Sequence, residues 1–140
     1  MNKSILLIDD DIDDQEFFME AAREVDNTIN CFIASSCEEG LETLNKMPVV
    51  PDYIFLDLNM PKVDGKKCLS ELKKSARLKD IPVIIYSTSS LKKDIEETKA
   101  MGAVHFMTKP SAFKELCDAI GNVLSFDLTS ASAAKSETTN

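Results

Sequence analysis

Five short apolar runs are spaced along this chain of 140 residues and constrain its fold more than any other feature. The three strongest are Ile5–Ile8, Tyr53–Leu56 and Val83–Tyr86, which are apolar at consecutive rather than alternate positions. A continuous apolar run of this length is typical of a parallel strand that is buried on both faces. Two mixed runs, Cys31–Ala34 and Val104–Met107, suit the edge strands of the same sheet.

Segments with helical spacing of apolar residues separate and follow these runs. The residues that mark the five helices are Phe17, Phe18, Ala21, Ala22 and Val25; Leu41 and Leu44; Cys68, Leu69 and Leu72; Leu91 and Ile95; and Phe113, Leu116, Cys117, Ile120, Val123 and Leu124. Ser36 and Glu39 match a capping box before the second helix, and Gly102 suits a left-handed cap after the fourth. The alternation predicts an α/β fold, a doubly wound five-stranded parallel sheet of order 2-1-3-4-5 with five helices, which is the flavodoxin-like architecture.

Composition limits the classes of function. The net charge of −8 argues against nucleic-acid binding, since nucleic-acid binders usually carry a basic surface. No apolar run reaches the length of a membrane span, and the first residues lack a signal-peptide core, so we expect a cytoplasmic protein with no membrane contact. We expect one domain over residues 1–126 and a disordered tail over residues 127–140, where Ser, Thr and Ala dominate.

The four cysteines are scattered along the chain without a C-x-x-C pair. They are Cys31, Cys37, Cys68 and Cys117. This pattern predicts reduced, partly buried thiols and indicates neither a zinc site nor a disulfide framework.

Polar and charged side chains follow four of the five predicted strands. Asp9 and Asp10 end the first, Asp57 the third and Ser87 the fourth, and Lys109 follows the fifth. Because the carboxyl ends of parallel strands lie along one edge of the sheet, we expect these groups to converge at the switch in strand order. Three carboxylates, a hydroxyl and an ammonium group predict a hard-cation site beside an anion position. Oxygen ligands without His or Cys favour Mg²⁺.

The run of acids from Asp9 to Glu16 also permits other interpretations. Asp13, Asp14 and Glu16 are best explained as exposed acids at a helix N-terminus, where the helix dipole favours negative charge. A calcium-binding EF-hand loop is excluded, because position 6 of that pattern is Asp14 instead of Gly and a strand precedes the loop.

Over about residues 3–125 these features resemble the response regulator receiver domain of two-component signalling. The matching motifs are the pair Asp9-Asp10, Asp57 within DLNMPKVDG, Ser87, and Lys109-Pro110. The resemblance implies a phosphoacceptor signalling protein rather than an enzyme, although one that assists its own phosphorylation and dephosphorylation.

The same resemblance implies a role for each site residue. Asp57 would accept a phosphoryl group from a histidine kinase or a small phosphodonor. Asp10 and Asp57 would ligate Mg²⁺ through their side chains, Asn59 through its backbone carbonyl, and Asp9 through water. Lys109 would pair with the phosphoryl group, and its peptide bond to Pro110 would be cis. The hydroxyl of Ser87 would turn to the phosphoryl oxygen.

The output and partners are implied in the same way. Phe106 matches an aromatic switch position that is often Tyr, and Thr88 stands where relatives often carry a smaller residue, which predicts slower access to Asp57. The acid-rich first helix and the connection NKMPVVPD resemble stand-alone regulators that pair with phytochrome-type histidine kinases. We expect no output domain after the last helix, and therefore a downstream protein as the target. The fourth helix, fifth strand and fifth helix would form a docking or homodimer face, with Lys92, Lys93 and Phe106 near it.

Other classes fit less well. A phosphatase of the haloacid-dehalogenase type would need a cap insertion and would leave Asp57 unexplained. A flavin mononucleotide site would need a phosphate-binding loop rich in Ser, Thr and Gly, where this chain has acids. A receiver-like binding module that works without phosphorylation stays open, and phosphoryl uptake would distinguish it.

Overall fold

The computed structural model describes residues 3–60 and 64–125. The elements in chain order are β1 (Ser4–Ile8), α1 (Ile12–Val25), β2 (Asn30–Ala34), α2 (Cys37–Lys46), β3 (Tyr53–Leu56), α3 (Gly65–Lys74), β4 (Val83–Ser87), α4 (Lys92–Ala100), β5 (His105–Thr108) and α5 (Phe113–Ser125). All strand pairs are parallel and their order is β2-β1-β3-β4-β5. The predicted fold and strand order are therefore confirmed, while the expected tail lies outside the described residues.

The core lies on both faces of the sheet because the central strands are buried throughout. Every residue of β3 and β4 is buried, whereas the edge strands β2 and β5 are mostly exposed or half-buried. Successive side chains of a strand point to opposite faces. Leu6 and Ile8 accordingly join the core beneath α2 and α3, and Ile5 and Leu7 join the core beneath α1 and α5.

An aromatic cluster in the second core supports the edge of the sheet where the strands end. The Phe18 ring of α1 contacts the rings of Phe55 and Tyr86 edge to face, with centroids 4.9 and 5.4 Å apart. Such pairs stabilise a fold by about 0.5–1.5 kcal/mol beyond the area that they bury. The cluster holds the start of α1 at a defined distance from β3 and β4.

Two of the four cysteines do not match the prediction. Cys37 in the first turn of α2 and Cys68 in α3 form a disulfide, with Cα atoms 5.7 Å apart. Both side chains lie in the core beneath α2 and α3, so the fold joins thiols that are 31 positions apart in sequence. The expectation of reduced thiols is wrong for this pair, and Cys31 and Cys117 are free as predicted.

The region around α4 also differs from its sequence pattern. Leu91 and Ile95, which mark the predicted apolar face, are 64% and 37% exposed. Thr98 is the one α4 residue that is buried. Val104 lies before β5 and is half-exposed, so the fifth strand begins one residue later than predicted. Gly102 has a φ of 108°, as its predicted capping role requires.

The helices are short compared with a membrane span, which needs about 20 consecutive apolar residues. Within residues 3–60 and 64–125, none combines the length and the apolar character needed to cross a membrane.

Candidate functional site

The carboxyl edge of the sheet brings together the side chains that the strand ends predicted. Three backbone hydrogen bonds extend the sheet pairing by one residue beyond the strands. Asp9 N–H donates to Ala34 at 3.0 Å, and Asp57 N–H donates to Ile8 at 3.0 Å. Lys109 N–H donates to Ser87 at 2.7 Å. The backbones of these site residues are therefore fixed by the same ladder that builds the sheet.

Three carboxylates lie together at this edge. Asp9 has no exposed surface and Asp57 is 4% exposed, while Asp10 is exposed. Each offers an oxygen atom, and these atoms lie within 4.8 Å of one another. Neighbouring carboxylates repel one another unless a cation lies between or beside them.

Lys109 supplies one such cation. Its Nζ atom lies 2.8 Å from Asp9 Oδ2, 2.7 Å from Asp14 Oδ2 and 3.5 Å from Asp57 Oδ2. It also lies 5.1 Å from the centroid of the Tyr86 ring. Burial acts to lower the pKa of Lys109, but its hydrogen bonds to Asp14 and Asp9 raise that pKa above the ordinary value. The amine is therefore protonated throughout the neutral range.

For Asp9, the effect of burial on the pKa outweighs the effect of its hydrogen bonds, whereas the reverse holds for Lys109. Burial raises the pKa of its carboxyl group to about 6, against the hydrogen bonds from Lys109 and from the backbone N–H of Asp11, which lower it. Asp11 N–H donates to Asp9 Oδ1 at 3.0 Å. The loss of hydration on burial therefore outweighs the favourable contacts that this carboxylate makes.

Asp57 adjoins an open cleft. Its Oδ1 atom accepts a hydrogen bond of 3.0 Å from Asn59 N–H, and its Oδ2 atom faces Lys109. The cleft has a volume of about 590 Å³, and its walls include Asp10, Thr88 and the first turn of α1. A small anion can therefore approach a carboxylate that is otherwise enclosed by protein.

Ser87 is connected to this carboxylate through Asn59. The hydroxyl of Ser87 is fully buried and accepts hydrogen bonds from Asn59 Nδ2 at 3.2 Å and from Ser89 N–H at 3.1 Å. Asn59 Nδ2 also lies 3.4 Å from Thr88 Oγ1. The loops after β3 and β4 are thus joined across the cleft.

Phe106 lies away from the carboxylates. It is half-buried and packs against the core beneath α2 and α3, and with Ile95 and Val104 it lines a separate cavity of about 310 Å³ between α4 and β5. Lys92 and Lys93 in the first turn of α4 are exposed. The described residues contain no cis peptide bond, so the expected cis bond from Lys109 to Pro110 is wrong for this structure.

Two contacts of α1 were not predicted. Asp14, interpreted as a helix-terminal acid, does lie in the first turn of α1, but it also forms an ion pair with Lys109. Gln15 Nε2 donates to the Asp9 carbonyl at 2.7 Å. The signal for Asp14 was its spacing, because it precedes the buried residues Phe18 and Ala21 by four and seven positions, on one helix face.

Comparison with known proteins agrees with this geometry. The model of the response regulator receiver domain family matches residues 5–121. The chain is 33% identical over 144 residues to the probable transcriptional regulator ycf29 of Pyropia yezoensis, an alignment that covers 100% of the chain and 62% of that protein. It is 36% identical over 76 residues to the response regulator Rcp1 of Synechocystis, covering 54% of the chain and 52% of Rcp1. The chain spans less than two thirds of the length of these relatives.

Solved structures extend the comparison to the fold. The Mn²⁺-bound form of Rcp1 is similar with a TM-score of 0.76 at 28% identity, over 89% of this chain and 93% of that one. The phosphorylated cyanobacterial phytochrome response regulator RcpA is similar with a TM-score of 0.82 at 28% identity, over 93% and 96%. The family match runs from β1 into α5 and includes every strand end that forms the acidic edge. The chain therefore belongs to the response regulator receiver domain family of two-component, phosphorylation-based signalling.

Proposed function

We propose that Asp57 accepts a phosphoryl group from a sensor histidine kinase and that the phosphorylated domain signals by contact with another protein. One observation carries the proposal: a nearly buried carboxylate faces a protonated lysine at 3.5 Å and adjoins an open cleft. Phosphoryl transfer depends on positioning and charge neutralisation more than on covalent machinery, and this arrangement offers both.

Mg²⁺ is the metal that we propose for the acidic edge. The donor set fits, because carboxylate oxygens from three aspartates lie within 4.8 Å of one another and hard oxygen donors suit Mg²⁺. Asp10 and Asp57 would bind it through their side chains, Asn59 through its backbone carbonyl and Asp9 through water. A bound divalent cation would supply positive charge beside the transferring group. The similarity to Mn²⁺-bound Rcp1 supports a divalent metal at this place.

The protein's own residues perform the transfer in this proposal. A carboxylate oxygen of Asp57 forms a bond to phosphorus as the bond from phosphorus to the phosphodonor nitrogen or oxygen breaks, and the leaving group keeps that electron pair. Lys109 pairs with the transferred group, which carries close to two negative charges. The product is an acyl phosphate on Asp57.

The signal would then spread to α4, β5 and α5. Ser87 and Lys109 would move toward the negatively charged phosphoryl group, and the Phe106 ring would move inward into the space that Ser87 vacates. Leu91 and Val104 are exposed beside α4 and β5, and such apolar exposure supports a contact face for a downstream protein or for a second copy of the chain.

We place the regulator in the cytoplasm, as a receiver domain over residues 1–126. The similarity to RcpA favours a phytochrome-type kinase as its phosphodonor.

Intact-mass spectrometry tests the proposal. The protein is incubated with acetyl phosphate and Mg²⁺, beside an Asp57→Asn variant and a sample with EDTA. We expect the mass of one phosphoryl group to appear in the wild type and to be absent from both controls. If the wild type binds Mg²⁺ and gains no mass, the chain is better explained as a phosphorylation-independent binding module.

A further inference from the structure

We infer that Asp14 is a positioning residue, which holds Lys109 back from Asp57 until a phosphoryl group competes for it. This inference rests on the proposed phosphoacceptor role of Asp57. The Lys109 Nζ atom lies 2.7 Å from Asp14 and 3.5 Å from Asp57, so its shorter contact is to the helix and not to the proposed nucleophile.

Asp14 is the partner that Lys109 can most easily leave. Asp9 has no exposed surface, and its other carboxylate oxygen accepts the Asp11 N–H, so separating it from Lys109 would strand a buried charge. The side chain of Asp14 is 35% exposed, and water can therefore replace the lysine when the pair separates. An ammonium group can donate three hydrogen bonds, and the three that Lys109 makes within the described residues all go to carboxylates. A phosphoryl group on Asp57 carries more negative charge than the carboxylate and draws Lys109 closer, and of the two short contacts of Lys109 the one to Asp14 is the less costly to lose.

The negative charge of Asp14 would also slow phosphoryl incorporation in a less specific way, by repelling the anionic phosphodonor. Asp13 and Asp14 both lie in the first turn of α1 and both line the cleft, so each repels an incoming anion. Of these two acids, Asp14 forms an ion pair with Lys109, whereas no ion pair joins Asp13 to Lys109 within the described residues. The variants Asp13→Asn and Asp14→Asn remove the same charge from neighbouring positions, and they differ in whether the lysine loses a partner.

The experiment compares these two variants with the wild type and with Asp14→Glu. Initial rates of phosphoryl incorporation are measured by intact mass over a range of acetyl phosphate concentrations at saturating Mg²⁺. We expect Asp14→Asn to raise the rate at low acetyl phosphate by about two- to fivefold relative to Asp13→Asn, the factor that a partly exposed ion pair supplies. Asp14→Glu keeps the ion pair and should stay close to the wild type.

A double-mutant comparison identifies the lysine as the cause. In a Lys109→Arg background the advantage of Asp14→Asn over Asp13→Asn should shrink, because a guanidinium group makes its contacts with a different geometry. Slower incorporation in Asp14→Asn would show that Asp14 only supports the lysine structurally, and equal rates in the two Asn variants would show a pure charge effect. Either result overturns the inference while leaving the proposed function intact. No incorporation by any of the proteins would overturn the proposed function, and the inference with it.

Discussion

Gly65 provides a sharp test of how the start of α3 packs against Asp57 and Leu58, which follow β3. A Cβ atom at this position would lie 2.5 Å from the carbonyl oxygen of Asp57 and 2.5 Å from the Cα atom of Leu58. Gly65 N–H also donates to the Leu58 carbonyl at 3.0 Å. Ordinary contacts of a Cβ atom begin at 3.4 Å, so the start of α3 would have to withdraw from backbone atoms that a rotamer change cannot relieve.

The cost of Gly65→Ala follows from these contacts. Forcing an extra methyl group into a filled space costs about 1–3 kcal/mol. Weakening the hydrogen bond to Leu58 adds about 1 kcal/mol, and the more restricted unfolded chain returns about 0.4–1 kcal/mol. We therefore expect the free energy of unfolding to fall by about 2 kcal/mol. Because the clash is with the Asp57 carbonyl, phosphoryl incorporation should slow as well.

Gly121→Ala is the matched control, since the nearest atom to a Cβ there is Val25 Cγ1 at 3.9 Å. Gly121 lies inside α5, where Ala is favoured over Gly by up to about 1 kcal/mol, so this variant should be more stable than the wild type. Urea unfolding measures both changes in the free energy of unfolding. We expect its dependence on urea concentration to keep the wild-type slope, so that only the midpoint shifts. If Gly65→Ala unfolds at the wild-type midpoint, or if the two variants shift it in the same direction, the reasoning from backbone contact is refuted.

Three further predictions concern the thiols and the cleft. Breaking the Cys37–Cys68 disulfide with dithiothreitol should lower the free energy of unfolding by about 3–4 kcal/mol, from the chain entropy of a loop with a separation of 31 residues, and unchanged urea curves would contradict this. Burial raises the pKa of Cys31 from 9.0 to about 11. The folded state then keeps its proton where the unfolded state loses it, so stability should decline as pH rises from about 9 to about 11, and less steeply in Cys31→Ser. Thr88→Ala should quicken acetyl phosphate incorporation, because Thr88 lines the cleft that leads to Asp57; equal initial rates would count against it.

The sheet could be predicted from the sequence because its central strands are buried on both faces. Such strands must be apolar at every position, and Tyr53–Leu56 was located with both ends correct. The fourth helix was harder, since Leu91 and Ile95 have helical spacing but remain exposed. A helical apolar pattern shows which residues share a face, and it does not show whether that face is covered. The Cys37–Cys68 disulfide was missed because it depends on how two helices lie side by side.

The contacts in the site are of two kinds: some follow from the strand topology, and others depend on how a helix packs on the sheet. Asp9, Asp57 and Lys109 were predicted to meet because parallel strands end on one edge, whatever the details of packing. The contact of Asp14 with Lys109 depends on where α1 lies over the sheet, which the rings of Phe18 and Tyr86 determine. The strand topology therefore brings Asp9, Asp57 and Lys109 together, while the packing of α1 adds Asp14 as a partner of Lys109.

The balance of charge at the carboxyl edge of the sheet connects the stability of the domain to its proposed function. Lys109 is shared by Asp9, Asp14 and Asp57, so one positive charge faces three carboxylates, and the exposed Asp10 adds a fourth nearby. Burial raises the pKa of Asp9 to about 6, so keeping this carboxylate ionised opposes folding. A fold selected for stability alone would replace a buried acid with an apolar residue. An uncompensated cluster of acids is instead what a divalent cation requires, and the cation together with Lys109 would then balance the negative charge of a phosphoryl group on Asp57. In the proposed mechanism, the same excess of negative charge lets Asp14 hold Lys109 at rest and lose it when a phosphoryl group forms on Asp57.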